Sequence, residues 1–259
     1  MQIYEKDFFK NNKMKSFDLR TVIFDMDGVL FDTMPNHAHA WMESMNKHGI
    51  DFYEEDAYMH EGRTGKGTIE FAIQRQFNRD ASEEEINSIY SYKKQIFEKL
   101  PVGDVMPGAR EFLENIRQNN LKCMIVTGSK QLSSLSRIKT MYSGFFDDES
   151  IVSGNDVRIG KPDPEPYLMA LKKGNISVNE AIVVENAPLG IRSAKSAGLF
   201  VIAVNTGPLS DEVLYEAGAD LVFESLVELN EIWKKLYYEK FFDSSNCAGT
   251  SDRLHQGQS

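Results

Sequence analysis

Two aspartates at the end of a short apolar segment have the type and spacing of residues that do chemistry. Asp25 and Asp27 follow the apolar run 21–24, and Gly28 comes directly after them. Glycine lets the chain turn tightly, and two buried acids are unfavourable unless a cation joins them. A hard cation such as Mg²⁺ takes oxygen ligands and shares its shell with phosphate. The pattern therefore favours a metal and phosphate site over a simple turn.

Two further segments carry groups suited to an anion. Thr127, Gly128 and Ser129 follow a second apolar run, and hydroxyls and amide N–H groups before a helix can bind phosphate. Ser129 equally suits an N-cap. Lys161 lies in a loop with prolines at positions 162 and 164, which restrain the backbone. A positioned ammonium can neutralise phosphate charge, although any single lysine is more often a surface residue.

A fourth group, the oxygen-bearing side chains of Glu185 and Asn186, follows another apolar run. It also fits an ordinary turn at the end of a strand. Because the carboxyl ends of parallel strands meet at one edge of a sheet, we expect all four groups to converge on one pocket. The combination is thus far more specific than any one of its parts.

The segments that must position these groups alternate between apolar runs and amphipathic stretches. The runs that we interpret as strands cover residues 21–24, 121–126, 181–184, 200–204 and 221–223. Continuous apolar runs of this length fit strands buried on both faces. Strand–helix alternation therefore predicts an α/β fold with a doubly wound parallel sheet.

One stretch, residues 35–100, carries helical patterns only and interrupts the α/β unit after its first strand. Its predicted helices cover residues 36–47, 66–76 and 82–99. Ser82, with Glu85 three residues later, predicts a capping box at the start of the third helix. We therefore predict a core of residues 19–34 and 101–240, a helical cap of residues 35–100 suited to act as a lid, an extension of residues 1–18, and a polar, disordered tail of residues 241–259.

Bulk composition limits the class of protein. The chain has 259 residues and a net charge of −10. A chain this acidic lacks the positive charge that attracts nucleic acid or an anionic membrane. Two cysteines, Cys123 and Cys247, give no disulfide framework or zinc spacing. No apolar run suits a signal peptide or a membrane span. We expect a cytoplasmic monomer whose partner is a small phosphorylated substrate, with no nucleic acid and no membrane.

With these motifs in their order, the sequence resembles the haloacid dehalogenase-like phosphatase superfamily. The resemblance covers about residues 21–223, and the stretch 25–41 is similar to the β-phosphoglucomutase-like branch. It implies a Rossmann-like core, a small helical cap and a Mg²⁺ cofactor. It also implies that Asp25 is the nucleophile that forms an aspartyl-phosphate and that Asp27 is the general acid and base. Thr127 and Lys161 would hold the transferring phosphoryl group.

The metal site implied by the resemblance comprises Asp25, the backbone carbonyl of Asp27, Glu185 and Asn186. The family's acidic pair usually ends in Asp, whereas this chain has Asn186. An amide oxygen still ligates Mg²⁺ but carries no charge. We expect weaker metal binding rather than its loss.

The cap departs further from the sugar-phosphate mutases. In place of their Gly-x-Ser-Arg-type signature it has Glu61, Gly62 and Arg63. Arg63 could pair with a distal phosphate, and an acid at Glu61 suits a metal-bound phosphate better than a sugar ring. These cap residues and the segment 185–190 resemble inorganic pyrophosphatases of the same branch. His37 matches a position that the mutases share, and it equally suits a helix-face residue near the hinge.

The sequence leaves three functions open. The leading one is hydrolysis of pyrophosphate or a small phosphate ester. The second is isomerisation of β-glucose 1-phosphate to glucose 6-phosphate. The third is a phosphate-binding module without catalysis, which only Asn186 supports and which intact Asp25, Asp27 and Lys161 argue against.

Overall fold

A six-stranded, entirely parallel sheet forms the centre of the protein, in the strand order β3-β2-β1-β4-β5-β6. The computed structural model describes residues 18–130 and 132–238. The strands are β1 Thr21–Phe24, β2 Lys122–Val126, β3 Ile151–Val152, β4 Ala181–Glu185, β5 Phe200–Val204 and β6 Leu221–Phe223. The predicted α/β fold with a parallel sheet is confirmed.

Helices cover both faces of the sheet, as a doubly wound fold requires. Within the described residues they are α1 Met34–Lys47, α2 Glu54–Met59, α3 Gly65–Phe77, α4 Glu83–Phe97, α5 Ala109–Gln118, α6 Leu132–Met141, α7 Glu165–Gly174, α8 Pro188–Ser196, α9 Asp211–Ala217 and α10 Leu226–Leu236. Successive side chains of β1 alternate between the faces. Val22 and Phe24 join a cluster with Phe112 of α5 and Trp233 of α10, whereas Ile23 joins one with helices α7 to α9.

The helices α1 to α4 follow β1 and pack around a third hydrophobic cluster. Their placement agrees with the helical pattern of residues 35–100, which we continue to call the cap. Ser82 accepts a hydrogen bond from the backbone N–H of Glu85, and Glu85 accepts one from the N–H of Ser82. The capping box predicted at the start of α4 is therefore confirmed.

The sequence prediction missed the shortest elements. Strand β3 has only two residues and α2 only six, too few to give a periodic signal. Cys123 is buried and free, and burial raises the pKa of its thiol to about 12, so it is a thiol at neutral pH. No helix among the described residues is long and apolar enough to span a membrane. Cys247, the tail 241–259 and residues 1–17 of the predicted extension lie outside the described part.

Candidate active site

The carboxyl edge of the sheet gathers the polar groups that follow its central strands. Strand β1 lies between β2 and β4, with Phe24 opposite both Ile125 and Val184. The N–H of Asp25 continues this pairing and donates to the carbonyl of Val184 at 3.0 Å. Asp25 therefore emerges at the middle of the edge, where the groups after β2 and β4 can reach it.

Asp25 forms a buried ion pair with Lys161. The Nζ atom of Lys161 lies 2.5 Å from Asp25 Oδ1, and Asp25 is only 6% exposed. Burial raises the pKa of Asp25 to about 8 in spite of the Lys161 charge, and the charges of Glu185 and Asp27 add to the rise. The single ammonium of Lys161 thus only partly offsets the effect of burial on the pKa of Asp25. A second positive charge beside it would lower that pKa further.

The buried ammonium group of Lys161 is held in position by Glu185. Its Nζ donates to Glu185 Oε1 at 2.6 Å, and the hydroxyl of Tyr167 donates to the same oxygen at 2.8 Å. Glu185 Oε2 accepts from the N–H groups of Asn186 and Ala187 at 3.0 and 3.2 Å. Burial opposes the charge of Lys161, but the carboxylates of Asp25 and Glu185 raise its pKa well above the ordinary value.

Glu185 therefore has both carboxylate oxygens engaged, and it is fully buried. A Cβ at Gly190 would lie 1.8 Å from Glu185 Oε1, so the glycine leaves room for this arrangement. In the structure Glu185 positions Lys161, and its role as a metal ligand, which the resemblance implied, stays a prediction. The signal that could have shown this positioning is Tyr167, in the first turn of α7 after the Lys161 loop.

Gly28 brings Asn186 against the aspartate loop. Gly28 has φ +82°, and a Cβ there would lie 2.1 Å from Asn186 Nδ2. A side chain at this position would be strained by the backbone and would also displace Asn186. The glycine after the aspartate pair is thus needed for a close approach as well as for the turn.

Asp27 faces a separate group of side chains from α1. Its Oδ1 accepts from the hydroxyl of Thr33 at 2.5 Å and lies 3.8 Å from His37 Nε2. Burial raises the pKa of Asp27, and the Thr33 hydrogen bond and nearby cations, Lys93 first, oppose the rise. A carboxyl whose protonated form is favoured is suited to deliver a proton.

Lys93 of α4 reaches the same group from across the cap. Its Nζ lies 2.9 Å from His37 Nδ1. An ammonium can only donate, so Nδ1 is the acceptor and the ring proton of neutral His37 lies on Nε2, towards Asp27. Burial, then the Lys93 charge, lowers the pKa of His37 well below its usual value, and burial lowers that of Lys93 to about 8.

Sequence reasoning missed Lys93, although a signal existed. It continues the buried stripe of Ile86, Ile89 and Ile96 on α4. A lysine on an apolar helix face is unusual without a partner, so its helical position marks it as a candidate site residue.

The cap touches the sheet edge directly above Asn186. Asn186 Nδ2 donates to Glu61 Oε2 at 2.9 Å. Among the described residues, neither Glu61 Oε1 nor Asn186 Oδ1 has a hydrogen-bond partner, and both atoms are buried. Burial raises the pKa of Glu61 well above its usual value, and the charges of Asp25, Glu185 and Asp27 add to this. Two oxygens with free lone pairs among several carboxylates are a natural setting for a cation.

The rest of the cap loop packs on the core through Gly62. A Cβ at Gly62, which has φ +81°, would lie 2.9 Å from Lys161 Cδ. Arg63 follows, with its Nε buried and unpartnered within the described part of the chain. The loop thus presents an acid and a guanidinium to the same space, as the sequence predicted.

The segment 127–129, which we predict to bind an anion, directly follows β2. Thr127 is buried, and its Oγ1 accepts from the N–H of Ser129 at 3.0 Å. The next helix, α6, begins at Leu132. Residue 131, directly before the helix, lies outside the described residues, so the N-cap alternative for Ser129 stays a prediction.

The predicted site residues line two different cavities. A cavity of about 470 Å³ lies between cap and core, and its lining includes Asp25, Asp27, His37, Glu61, Arg63, Gly128 and Ser129. Thr127 and Lys161 line a cavity of about 40 Å³ beneath Gly62. Arg137 of α6 also lines the larger cavity, and sequence reasoning missed it. The functional roles of all these residues stay predictions.

The kinds of atoms at the carboxyl edge of the sheet determine which metal ion could bind there. No group of three His, Cys, Asp or Glu side chains suited to a metal occurs among the described residues. The oxygens that remain are those of Asp25, Glu61 and Asn186, two carboxylates and an amide, together with backbone carbonyls. This set fits a hard cation such as Mg²⁺ and does not suit zinc.

Comparison with known sequences decides the family. The sequence profile of the haloacid dehalogenase-like hydrolases matches residues 22–204, which is more than half of the chain. The chain belongs to this family. The predicted superfamily is thereby confirmed, and this hydrolase is an enzyme by its family.

Individual relatives are similar over almost the whole described region. This hydrolase is 32% identical to the phosphorylated carbohydrates phosphatase of Thermotoga maritima over 203 residues, 78% of this chain and 92% of the relative. It is 31% identical to hexitol phosphatase A of Escherichia coli, over 80% of this chain and 91% of the relative.

Among solved structures, one from Bacteroides vulgatus, provisionally named a β-phosphoglucomutase, superposes with a TM-score of 0.83. Its identity is 48%, over 89% of this chain and 94% of that one. The likeness to the β-phosphoglucomutase-like branch is thus confirmed. The names of these three relatives concern carbohydrates or sugar phosphates, so the resemblance to pyrophosphatases stays a prediction.

Proposed function

We propose that this hydrolase is a Mg²⁺-dependent phosphohydrolase that acts through an aspartyl-phosphate on Asp25 and cleaves inorganic pyrophosphate. The observation that carries the substrate is the contact between Glu61 and Asn186, which brings a cap carboxylate over the nucleophile. A carboxylate there repels a bare phosphate and needs a cation between them. A small, metal-chelating polyanion meets that need, whereas a neutral sugar ring does not.

Asp25, Glu61 and Asn186 would hold the metal with the carbonyl of Asp27. Mg²⁺, when bound, neutralises charge on the phosphoryl oxygens and on the surrounding carboxylates. The raised pKa of Asp25 and Glu61 and the two unpartnered oxygens support this assignment.

The chain's own groups account for the rest of the reaction. The free oxygen of Asp25 attacks phosphorus, and the bond from phosphorus to the bridging oxygen breaks. Asp27 gives its proton to that oxygen, so orthophosphate leaves, and then accepts a proton from the water that attacks the aspartyl-phosphate. Lys161 and Thr127 hold the transferring group, with Lys161 kept in place by Glu185.

Asp27 is well placed for both proton transfers. The hydroxyl of Thr33 donates a hydrogen bond that orients its carboxyl, and His37 Nε2 lies 3.8 Å from the same oxygen. Because burial favours its protonated form, it can begin the cycle as the acid. Gly62 and Glu61 cover the nucleophile from the cap, which excludes bulk water from the first step.

A second candidate, hydrolysis or isomerisation of a sugar phosphate, rests on a different observation. The cavity of about 470 Å³ is large for pyrophosphate, and its lining includes Trp41 and Tyr90, aromatic rings of the kind that pack on sugars. The names of the relatives point the same way. Isomerisation of β-glucose 1-phosphate to glucose 6-phosphate would use the same Asp25.

A substrate comparison tests the proposal. Phosphate release from pyrophosphate, hexose phosphates and nucleotides is measured with purified protein and Mg²⁺, alongside a coupled assay for glucose 6-phosphate. We expect the highest kcat/KM on pyrophosphate and no release by Asp25→Asn. A preference for a hexose phosphate, or glucose 6-phosphate formed from the 1-phosphate, would reject the pyrophosphate proposal in favour of the second candidate.

A further inference from the structure

Arg137 lies on the side of the cavity where a leaving group must stand. Its guanidinium carbon lies 4.2 Å from the centroid of the Phe31 ring. Phe31 forms a backbone bridge with Asp27, and its carbonyl accepts from the N–H of Gly28 at 2.8 Å. Because Phe31 is tied in this way to the aspartate loop, stacking on it places Arg137 beside Asp27.

Asp27 identifies this side of the cavity chemically. The residue that protonates the leaving oxygen must contact it, so the leaving group departs past Asp27. Asp25, the proposed nucleophile, pairs with Lys161, so these two residues would face the transferring phosphoryl group. Arg137 is therefore near the departing group rather than near the phosphoryl group that Asp25 accepts.

Arg137 has the carboxylates of Asp27 and Asp104 in its neighbourhood but no ion pair at contact distance among the described residues. Within residues 18–130 and 132–238, Arg137 forms no salt bridge, and the same holds for Lys93, whose hydrogen-bond partner is a neutral histidine. Lys161, by contrast, has two carboxylates. Lys93 and Arg137 flank Asp27 in one cavity. In a chain with a net charge of −10, two cations against one carboxylate leave a positive charge there that attracts an anion.

We propose that Arg137 binds the leaving phosphate of pyrophosphate and thereby selects substrates whose leaving group is itself anionic. This inference rests on the proposed function and assigns the residue that binds the second phosphate group of pyrophosphate. The planar guanidinium, held by the Phe31 ring, can donate two parallel hydrogen bonds to phosphate oxygens. A leaving alcohol or phenol offers no such partner.

The experiment compares Arg137→Gln and Arg137→Lys with wild type on two substrates, pyrophosphate and p-nitrophenyl phosphate. Lys139→Gln is the matched control, since Lys139 lies on the same helix and pairs with Asp148 at the surface. We expect Arg137→Gln to lower kcat/KM for pyrophosphate by roughly 10- to 100-fold, the range of a charge-assisted contact. Its p-nitrophenyl phosphate activity should stay within about threefold, and Arg137→Lys should recover part of the loss.

Two results would overturn the inference. An equal fall on both substrates would show that Arg137 only supports the fold around Phe31, and thermal denaturation of the variant would register the same damage. Unchanged pyrophosphate hydrolysis in Arg137→Gln, with Lys139→Gln as reference, would show that no leaving group contacts it.

A binding measurement separates this inference from the proposed function. Calorimetry with Mg²⁺ and methylenediphosphonate, which is not hydrolysed, is run on wild type and Arg137→Gln. Failure of wild type to hydrolyse pyrophosphate rejects the proposed function. Weaker methylenediphosphonate binding in Arg137→Gln would still support the anion contact, and equal binding in both proteins would reject it.

Discussion

Glu61 of the cap accepts a hydrogen bond from the amide of Asn186 at the sheet edge, across 2.9 Å. Each partner keeps a second oxygen that is buried and unpartnered in the described part of the chain. The contact thus joins the cap to the core through two groups that both have lone pairs to offer. A cation shared between them would couple cap closure to metal binding.

Glu61→Gln tests this coupling, because the amide preserves shape but removes the charge. We expect kcat/KM for pyrophosphate to fall roughly 10- to 100-fold and the Mg²⁺ concentration for half-maximal activity to rise. Steady-state rates over a Mg²⁺ series measure both quantities. Glu70→Gln, on an exposed surface of α3, is the control and should behave as wild type. Unaltered Mg²⁺ dependence in Glu61→Gln would remove Glu61 from the metal site.

Gly28→Ala should remove activity by displacing Asn186. The substituted Cβ would meet Asn186 Nδ2 at 2.1 Å on a backbone with φ +82°. Gly144→Ala is a matched control, since Gly144 has φ +85° and nothing near its Cβ position within 4 Å. Both variants should lose about 1 to 2 kcal/mol of unfolding free energy from backbone strain.

Only the variant at Gly28 should also lose activity, which denaturant unfolding and phosphate release measure in parallel. If Gly28→Ala retained wild-type activity, the close approach of Asn186 would have no catalytic importance. If Gly144→Ala were equally inactive, the effect would be one of backbone strain alone.

The buried sheet was predictable because its strands are continuous apolar runs. Residues 21–24, 200–204 and 221–223 match their predicted limits, since a polar residue directly follows each run. Strand β3 was missed because two residues carry no period. The capping box at Ser82 was predictable from the sequence because its two partners are three residues apart and need no tertiary contact.

The site was predictable as a set of positions but less so as a set of contacts. An acid at a strand end looks the same in sequence whether it faces a metal or a lysine, so the contact between Glu185 and Lys161 was not predictable. Lys93 and Arg137 lie on helices distant in sequence from the motifs. Their proximity to Asp27 depends on how the cap and α6 pack, which no local pattern encodes.

Tyr167→Phe should weaken catalysis through Lys161 without touching substrate. The tyrosine hydroxyl shares Glu185 Oε1 with Lys161. Its loss leaves a buried carboxylate with one donor fewer, at a cost of about 1 to 3 kcal/mol in unfolding free energy. Because Lys161 can then shift towards Glu185 and away from Asp25, we expect kcat to fall several-fold while KM changes little.

Tyr142→Phe provides the comparison for that variant. Tyr142 is also fully buried, and its hydroxyl donates to the carbonyl of Leu30. Its loss should lower stability similarly and leave kcat near wild type. Equal kcat losses in both variants would mean that catalysis follows overall stability rather than the position of Lys161.

Lys93→Met should change how stability depends on pH. Burial lowers the pKa of Lys93 from 10.5 to about 8, so the folded state loses the proton before the unfolded state does. Below pH 8 both states are protonated and the folded state bears the full unfavourable free energy of the buried charge. As the pH rises from about 8 towards 10.5, the unfolded state binds more protons, and stability increases.

Relative to Lys93→Met, the unfolding free energy of wild type should therefore rise by an amount on the order of 3 kcal/mol between pH 7 and pH 11. Urea unfolding of both proteins across this range measures the difference, and titrations common to both cancel. His37 and Asp27 face Lys93, so His37→Gln in both backgrounds tests how much of the slope belongs to the lysine itself. A constant difference between wild type and Lys93→Met over the whole range would show that Lys93 keeps an ordinary pKa, and that its burial against His37 imposes no electrostatic strain on the folded cap.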